Sequence, residues 1–138
     1  MSKAETKLVA AAIARMDAKV LITRRAAGQK LAGFWEFPGG KLEQGEDVQA
    51  CIVRELQEEL GVASTAGEIL TVSDYTYPGG AISLIAVDVT LHSSAFTLTV
   101  HDEYAWMAPR ELLKLNLAPA DIPIAEKLRD ARNEDSQA

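Results

Sequence analysis

The sequence predicts an α+β domain with helices packed on a mostly antiparallel or mixed sheet. Three observations carry that expectation. Val-, Ile- and Thr-rich runs lie on both sides of one strongly helical segment. Turn signals such as YPGG separate the runs, and two helical patterns with proline in their first turn close the chain. At 138 residues the chain suits a single domain, residues 1–138, whose polar end (131–138) is expected to fray.

The elements follow in order. Lys7–Ala14 and Lys19–Arg24 are β-rich runs around RMDAK, a hairpin by length and composition. RAAGQKLAGFWEF has no clear period and reads as a loop returning to a short strand near Trp35–Phe37, and PGGKLEQGE reads as a turn-rich loop. From Asp47 to Leu60 the period is helical, with Gly61 as C-cap. Two strands, Glu68–Tyr77 and Ala81–Leu91, flank the YPGG turn, and another is expected at Glu103–Ala108. Pro109 opens a short helix, PRELLKL. A last helix starts near Asp121, with Pro123 in its first turn and Ile124, Ala125 and Leu128 facing inward. The expected order is β-β-β-α-β-β-β-α-α.

Bulk properties narrow the function. A net charge of −6 argues against a nucleic acid polymer as partner, yet leaves room for a phosphorylated small molecule bridged by a metal ion. No apolar run approaches the roughly 18–20 residues of a membrane span, and the N-terminus reads as a first strand rather than a signal peptide. The lone Cys51 permits no intramolecular disulfide and suits a reducing cytoplasm; within a helical pattern it is expected in the core. A monomer and a homodimer both remain open.

Chemistry concentrates in GGKLEQGEDVQACIVRELQEELGV. At about 100° per helical residue, Val48, Ile52, Leu56 and Leu60 form the core stripe. Glu55, Glu58 and Glu59 fall in an arc of about 100° overlapping the edge of that stripe. A solvated acidic face is the alternative. Against it, carboxylates at a helix C-terminal end oppose the macrodipole and raise each other's pKa unless a cation neutralises them. An all-oxygen cluster suits Mg²⁺ or Mn²⁺; with no thiolates or histidine pair, zinc is disfavoured.

Gly40, Glu46, Arg54-Glu55-Leu56, Glu58-Glu59 and Gly61-Val62 spell G-x5-E-x7-R-E-U-x-E-E-x-G-U, U being aliphatic: nine fixed positions over 23 residues. This pattern resembles the Nudix box. ITRRAAGQKLAGFWEFPGGK and PADIPIAEKL look like the MutT and CTP pyrophosphohydrolase-like branch of that family. The resemblance implies a Nudix-type α/β/α sandwich with a mixed β-sheet. It also implies metal-dependent hydrolysis of a nucleoside triphosphate to monophosphate and pyrophosphate. The expected substrates are oxidised or non-standard nucleotides such as 8-oxo-dGTP, or CTP and dCTP.

By the same resemblance Glu55, Glu58 and Glu59 are metal ligands, the Gly39 carbonyl adds an oxygen, and Glu46 either backs these ligands or completes a second metal site. Glu55 is the first candidate for general base. Arg54 orients these carboxylates, with i,i+4 pairing to Glu58 as the plainer role. Arg25 and Lys41 are candidate phosphate contacts, or else ordinary surface charges. Glu103 is favoured over Asp102 as a further acidic ligand, and His101 is expected on the surface. Asp121 either meets the nucleobase edge or caps a helix. Phe37, like Tyr75 and Tyr77, either flanks a base or fills the core. The competing readings are hydrolysis of another nucleoside-diphosphate-linked substrate, such as ADP-ribose or a dinucleoside polyphosphate, and a non-catalytic Nudix-fold binding module. The filled box argues against the module.

Overall fold

The run Ala10–Ala14 is apolar at every position, which suits a strand buried on both faces. In the computed structural model, which describes the backbone of residues 6–137 and the side chains of residues 6–131, this run is the middle of the molecule. It belongs to β1 (Thr6–Met16), followed by β2 (Lys19–Arg25), β3 (Trp35–Glu36), β4 (Gly39–Lys41), α1 (Val48–Leu60), β5 (Ser64–Tyr77), β6 (Gly80–Leu91) and β7 (His101–Met107). Two 3-10 segments, Pro109–Lys114 and Pro119–Asp121, precede α2 (Ile122–Gln137). Ala10, Ala12 and Ala14 pack under α1, while Ala11 and Ile13 share the opposite core with Ile124, Ala125 and Leu128 of α2. The result is a mixed sheet between two helices.

β1 runs parallel to β6, from Thr6↔Ala81 to Ala14↔Val89, and β5 completes that side antiparallel to β6. On its other edge β1 meets β4 at Val9↔Lys41, Ala10↔Gly40 and Ala11↔Gly39. The expected β1–β2 hairpin exists only at its tip, Arg15↔Val20 and Met16↔Lys19, turning through Asp17 and Ala18 at positive φ. A strand has two edges for backbone pairing, and the middle of β1 has already filled both. β2 therefore diverges and pairs with β3 and β7.

Other expectations shift locally. PGGKLEQGE contains β4, a strand whose glycines carry no β signal. Gly39 is required there, because a Cβ would stand 1.9 Å from the Ala10 carbonyl oxygen. β5 starts at Ser64 rather than Glu68, and two register shifts break its alternation. β7 spans His101–Met107, and PRELLKL forms a 3-10 segment instead of an α-helix. The polar end, 131–138, falls almost wholly outside the described side chains. No helix is long and apolar enough to cross a membrane among the described residues.

Candidate active site

The sequence fixes both ends of α1. Asp47 accepts from Ala50 N–H at 2.7 Å, and Gly61, at φ 64°, closes the helix through Gln57 and Leu56 carbonyls. Val48, Cys51, Ile52, Leu56 and Leu60 are buried, which sets the helix rotation and directs the glutamates along one edge. The negative end of the helix has no basic residue in its last turn. Its carbonyls are met by the loop before β7: Thr97 N–H donates to Leu60 O at 2.9 Å, and Thr99 N–H to Glu59 O at 3.2 Å.

Arg54 gathers the acids of the box. Its Nε and Nη2 grip both oxygens of Glu46 at 2.8 and 2.9 Å, Nη1 donates to Glu55 at 2.8 Å and Glu58 at 3.2 Å, and Nη2 also donates to Lys41 O. Such a fork needs guanidinium rather than ammonium. The Arg54 bonds, followed by the Glu43 N–H, hold Glu46 down at about 2. Gly40 is required beside Glu55, whose carboxyl carbon a Cβ would approach to 2.4 Å. Cys51 is in the core as expected; its thiol lies 3.4 Å from Gly40 O, and burial pushes it up to about 12.

Glu59 belongs to no Arg54 contact. It is buried, and its Oε1 has no hydrogen-bond partner among the described residues. Burial first, then the charges of Glu36 and Glu55, push it up to about 8 against the opposing pull of Arg25 and the Gly39 N–H. A buried carboxyl group with one oxygen unpartnered among the described residues, in surroundings of hard oxygen donors, fits a divalent cation. In the present arrangement no three His, Cys, Asp or Glu side chains among the described residues converge to cage an ion. Glu46, Glu55 and Glu58 are instead drawn onto Arg54, so the protein offers a partial shell open to water and substrate oxygens.

A second set of polar groups lies on the α2 side, and the sequence reading missed its centre, Glu36. The available signal was a lone acid in a short strand between Trp35 and Phe37. Trp35 N–H donates to Asn116 O and Ala118 N–H to Trp35 O, lashing the chain before α2 alongside β3. That parallel bridge brings Asp121 to Phe37, whose N–H donates to Asp121 Oδ2 at 2.9 Å. Asp121 is thus bonded across the fold as the last residue of a 3-10 segment, with α2 beginning after it; the capping alternative is not what forms. Burial, then the Glu36 charge, drive it well above the usual carboxylate range.

The remaining candidates are distributed unevenly. His101 is buried instead of exposed, with Nε2 2.9 Å from Glu36 Oε2, and Arg25 Nη1 lies 3.5 Å from the same oxygen. The Phe37 ring is buried in the core, whereas Tyr75 and Tyr77 are partly exposed and stacked at 6.4 Å. Lys41 is exposed, its pKa lowered by Lys7 and then Lys30. Glu103 is not drawn into the Arg54 set: it is exposed on β7, 3.7 Å from Arg24, which also bonds Asp102 at 2.8 Å.

Comparison with known proteins adds four findings. The NUDIX domain family profile matches residues 6–128. The chain is 41% identical over 130 residues to the CTP pyrophosphohydrolase of Escherichia coli, covering 92% of this chain and 96% of that one. It is 38% identical over 117 residues to a putative 8-oxo-dGTP diphosphatase 2 of Mycobacterium tuberculosis, covering 83% and 81%. The solution structure of the E. coli ORF135 protein superposes with a TM-score of 0.83 at 38% identity, covering 94% of this chain and 92% of that one.

Proposed function

This chain belongs to the Nudix family, and on that premise we propose that it hydrolyses nucleoside triphosphates to monophosphate and pyrophosphate. The substrates are oxidised or non-standard nucleotides of the 8-oxo-dGTP kind, or CTP and dCTP, in keeping with the names of its relatives. The observation that carries the reading is the buried, partnerless Glu59 oxygen beside carboxylates already ordered by Arg54. Nudix hydrolases work with a divalent cation; here Mg²⁺ is the expected ion, with Mn²⁺ as substitute. Glu55, Glu58 and Glu59 would hold it with the Gly39 carbonyl, and Glu46 would complete the set.

A cation held by these residues would supply neutralisation of phosphate charge and activation of a water. The protein does the rest by placement. Arg54 fixes the rotamers of Glu46 and Glu55, and Glu55, close against Gly40, is the candidate to take a proton from water. Arg25 and Lys41 meet phosphate oxygens. Asp121, held by the Phe37 N–H, presents its second oxygen to the nucleobase edge. The lone buried Cys51 is consistent with a cytoplasmic enzyme.

The test is a nucleotide panel ranked by kcat/KM with Mg²⁺, EDTA as control, and product identification. Pyrophosphate as direct product is expected. Orthophosphate with nucleoside diphosphate would make this an ordinary phosphatase, and faster turnover of ADP-ribose or a dinucleoside polyphosphate would reassign the substrate.

A further inference from the structure

β2 and β7 pair with a register shift between Arg24 and Arg25, after which Arg25 faces His101. Such a shift re-aims side chains, and here both side chains meet one atom, Glu36 Oε2: His101 Nε2 at 2.9 Å and Arg25 Nη1 at 3.5 Å. Against a carboxylate oxygen Nε2 is the donor, which leaves Nδ1 as the ring nitrogen still needing a partner. That Nδ1 is buried without a partner among the described residues, and the His101 side chain is 0% exposed. An apolar side chain would fill the same space without this cost. Departures from local rules gather at functional sites.

Glu36 is where the two halves of the site meet: it sits one residue before Phe37, whose N–H holds Asp121, and three before Gly39 at the start of β4. Its backbone carbonyl is fixed by the Thr23 hydroxyl at 3.0 Å, and its side chain, 17% exposed, is within reach of a ligand. With Oε2 occupied by His101 and Arg25, Oε1 is the oxygen left to face substrate.

We propose that His101 is a positioning residue of the active site, holding the Glu36 carboxylate at a fixed angle between Glu59 on the phosphate side and Asp121 on the base side. Without it Glu36 is steered by Arg25 alone, a longer contact shared with the Lys30 carbonyl. The inference rests on the pyrophosphohydrolase reading.

The test is a double-mutant cycle of His101→Leu with Glu36→Gln, read as kcat and KM on the best triphosphate of the panel. His101→Leu is expected to lower kcat/KM about tenfold or more, the range for partners that orient a site from behind. His101→Gln, whose amide N–H still reaches Oε2, is expected to recover most of that loss. In the Glu36→Gln background His101→Leu is expected to add less than about twofold, because non-additivity marks a shared route. If His101→Leu does not fold, His101→Asn, polar but too short to reach Oε2, takes its place in the cycle. Wild-type kcat and KM in these variants, or an undiminished loss in the Glu36→Gln background, would overturn the proposal. A wild-type enzyme inactive on every triphosphate would end the underlying reading, whereas an active one indifferent to His101 ends only this inference.

Discussion

Arg54 and His101 each hold a carboxylate, but the regions around them are built in opposite ways. The acids around Arg54 lie close in sequence, and three of its four acid contacts are hydrogen-bonded as well as charge-paired. Burial there is partial, and Glu46 is pulled down to about 2. Around Glu36 the neighbours come from residues 25, 101 and 121; His101 and Asp121 are buried and far off in sequence, while Arg25 is partly exposed. Negative charge is in excess there, and Glu59 and Asp121 are both pushed upward. The first region is a frame in which one guanidinium orders four carboxylates, all drawn from the short stretch between β4 and the end of α1. The second stores electrostatic frustration that only the whole fold can impose, and that a cation or a hydrogen-bonding ligand relieves.

The largest expected effect breaks the comparison at its junction. Glu58→Gln and Glu59→Gln should each reduce pyrophosphate release by orders of magnitude with the fold intact by circular dichroism. A variant near wild-type rate at saturating Mg²⁺ would remove the cluster from the mechanism. In wild type, Mg²⁺ should also raise Tm by mass action, and Glu59→Gln should blunt that gain.

Arg54→Lys tests the frame. A lysine keeps the charge but cannot grip Glu46 with two parallel bonds while reaching Glu55. We expect kcat to fall about 10–100-fold with KM changed less; an unchanged kcat would reduce Arg54 to a helix-surface ion pair.

Asp121→Ala tests the buried side. Loss of about 1–3 kcal/mol in kcat/KM is expected for the best base, and less for a poor substrate. Asp121→Asn should change the ranking of bases with little change in Tm. If both variants leave the ranking untouched and only lower stability, the base is read elsewhere.

The smallest effect contrasts the regions directly, through Tm against pH in EDTA. Glu46 has a folded pKa below its unfolded 4.5, so its contribution is present above 4.5 and lost as pH falls toward about 2. Glu59 is raised from 4.5 to about 8, so the unfolded chain ionises first and stability declines as pH rises through that window; Asp121 has the same sign. Glu46→Gln should flatten only the acid limb and Glu59→Gln only the alkaline one. Identical alkaline limbs in wild type and Glu59→Gln would mean that Glu59 is not held protonated.

How much was legible follows the same division. Residues 39–62 announced themselves because a helix converts spacing into direction. The apolar stripe and the acid arc follow from about 100° per residue and the Gly61 cap from residue type; the structure has the stripe and that cap, and adds Asp47 as the N-cap one residue before the helix. β4 was hidden because its glycines are selected by contact with Ala10 and Glu55, a requirement visible only across strands. Glu36 and His101 were hidden for a related reason. Alternation along a short strand says that a side chain points to one face, not what waits there, and a histidine in VHDEYAW looks like a surface residue until the β2–β7 register shift turns it onto Glu36.

By itself, then, the sequence determined the helix that carries the acids, its rotation, its ends and the all-oxygen chemistry on its edge, because those depend on neighbours within a few turns. Tertiary structure alone decided which glutamate keeps an unpartnered oxygen among the described residues, which histidine is buried, and that Asp121 bonds Phe37 across the fold. These depend on burial and on the β3 bridge to residues 116–118, which bring together groups that the chain keeps far apart.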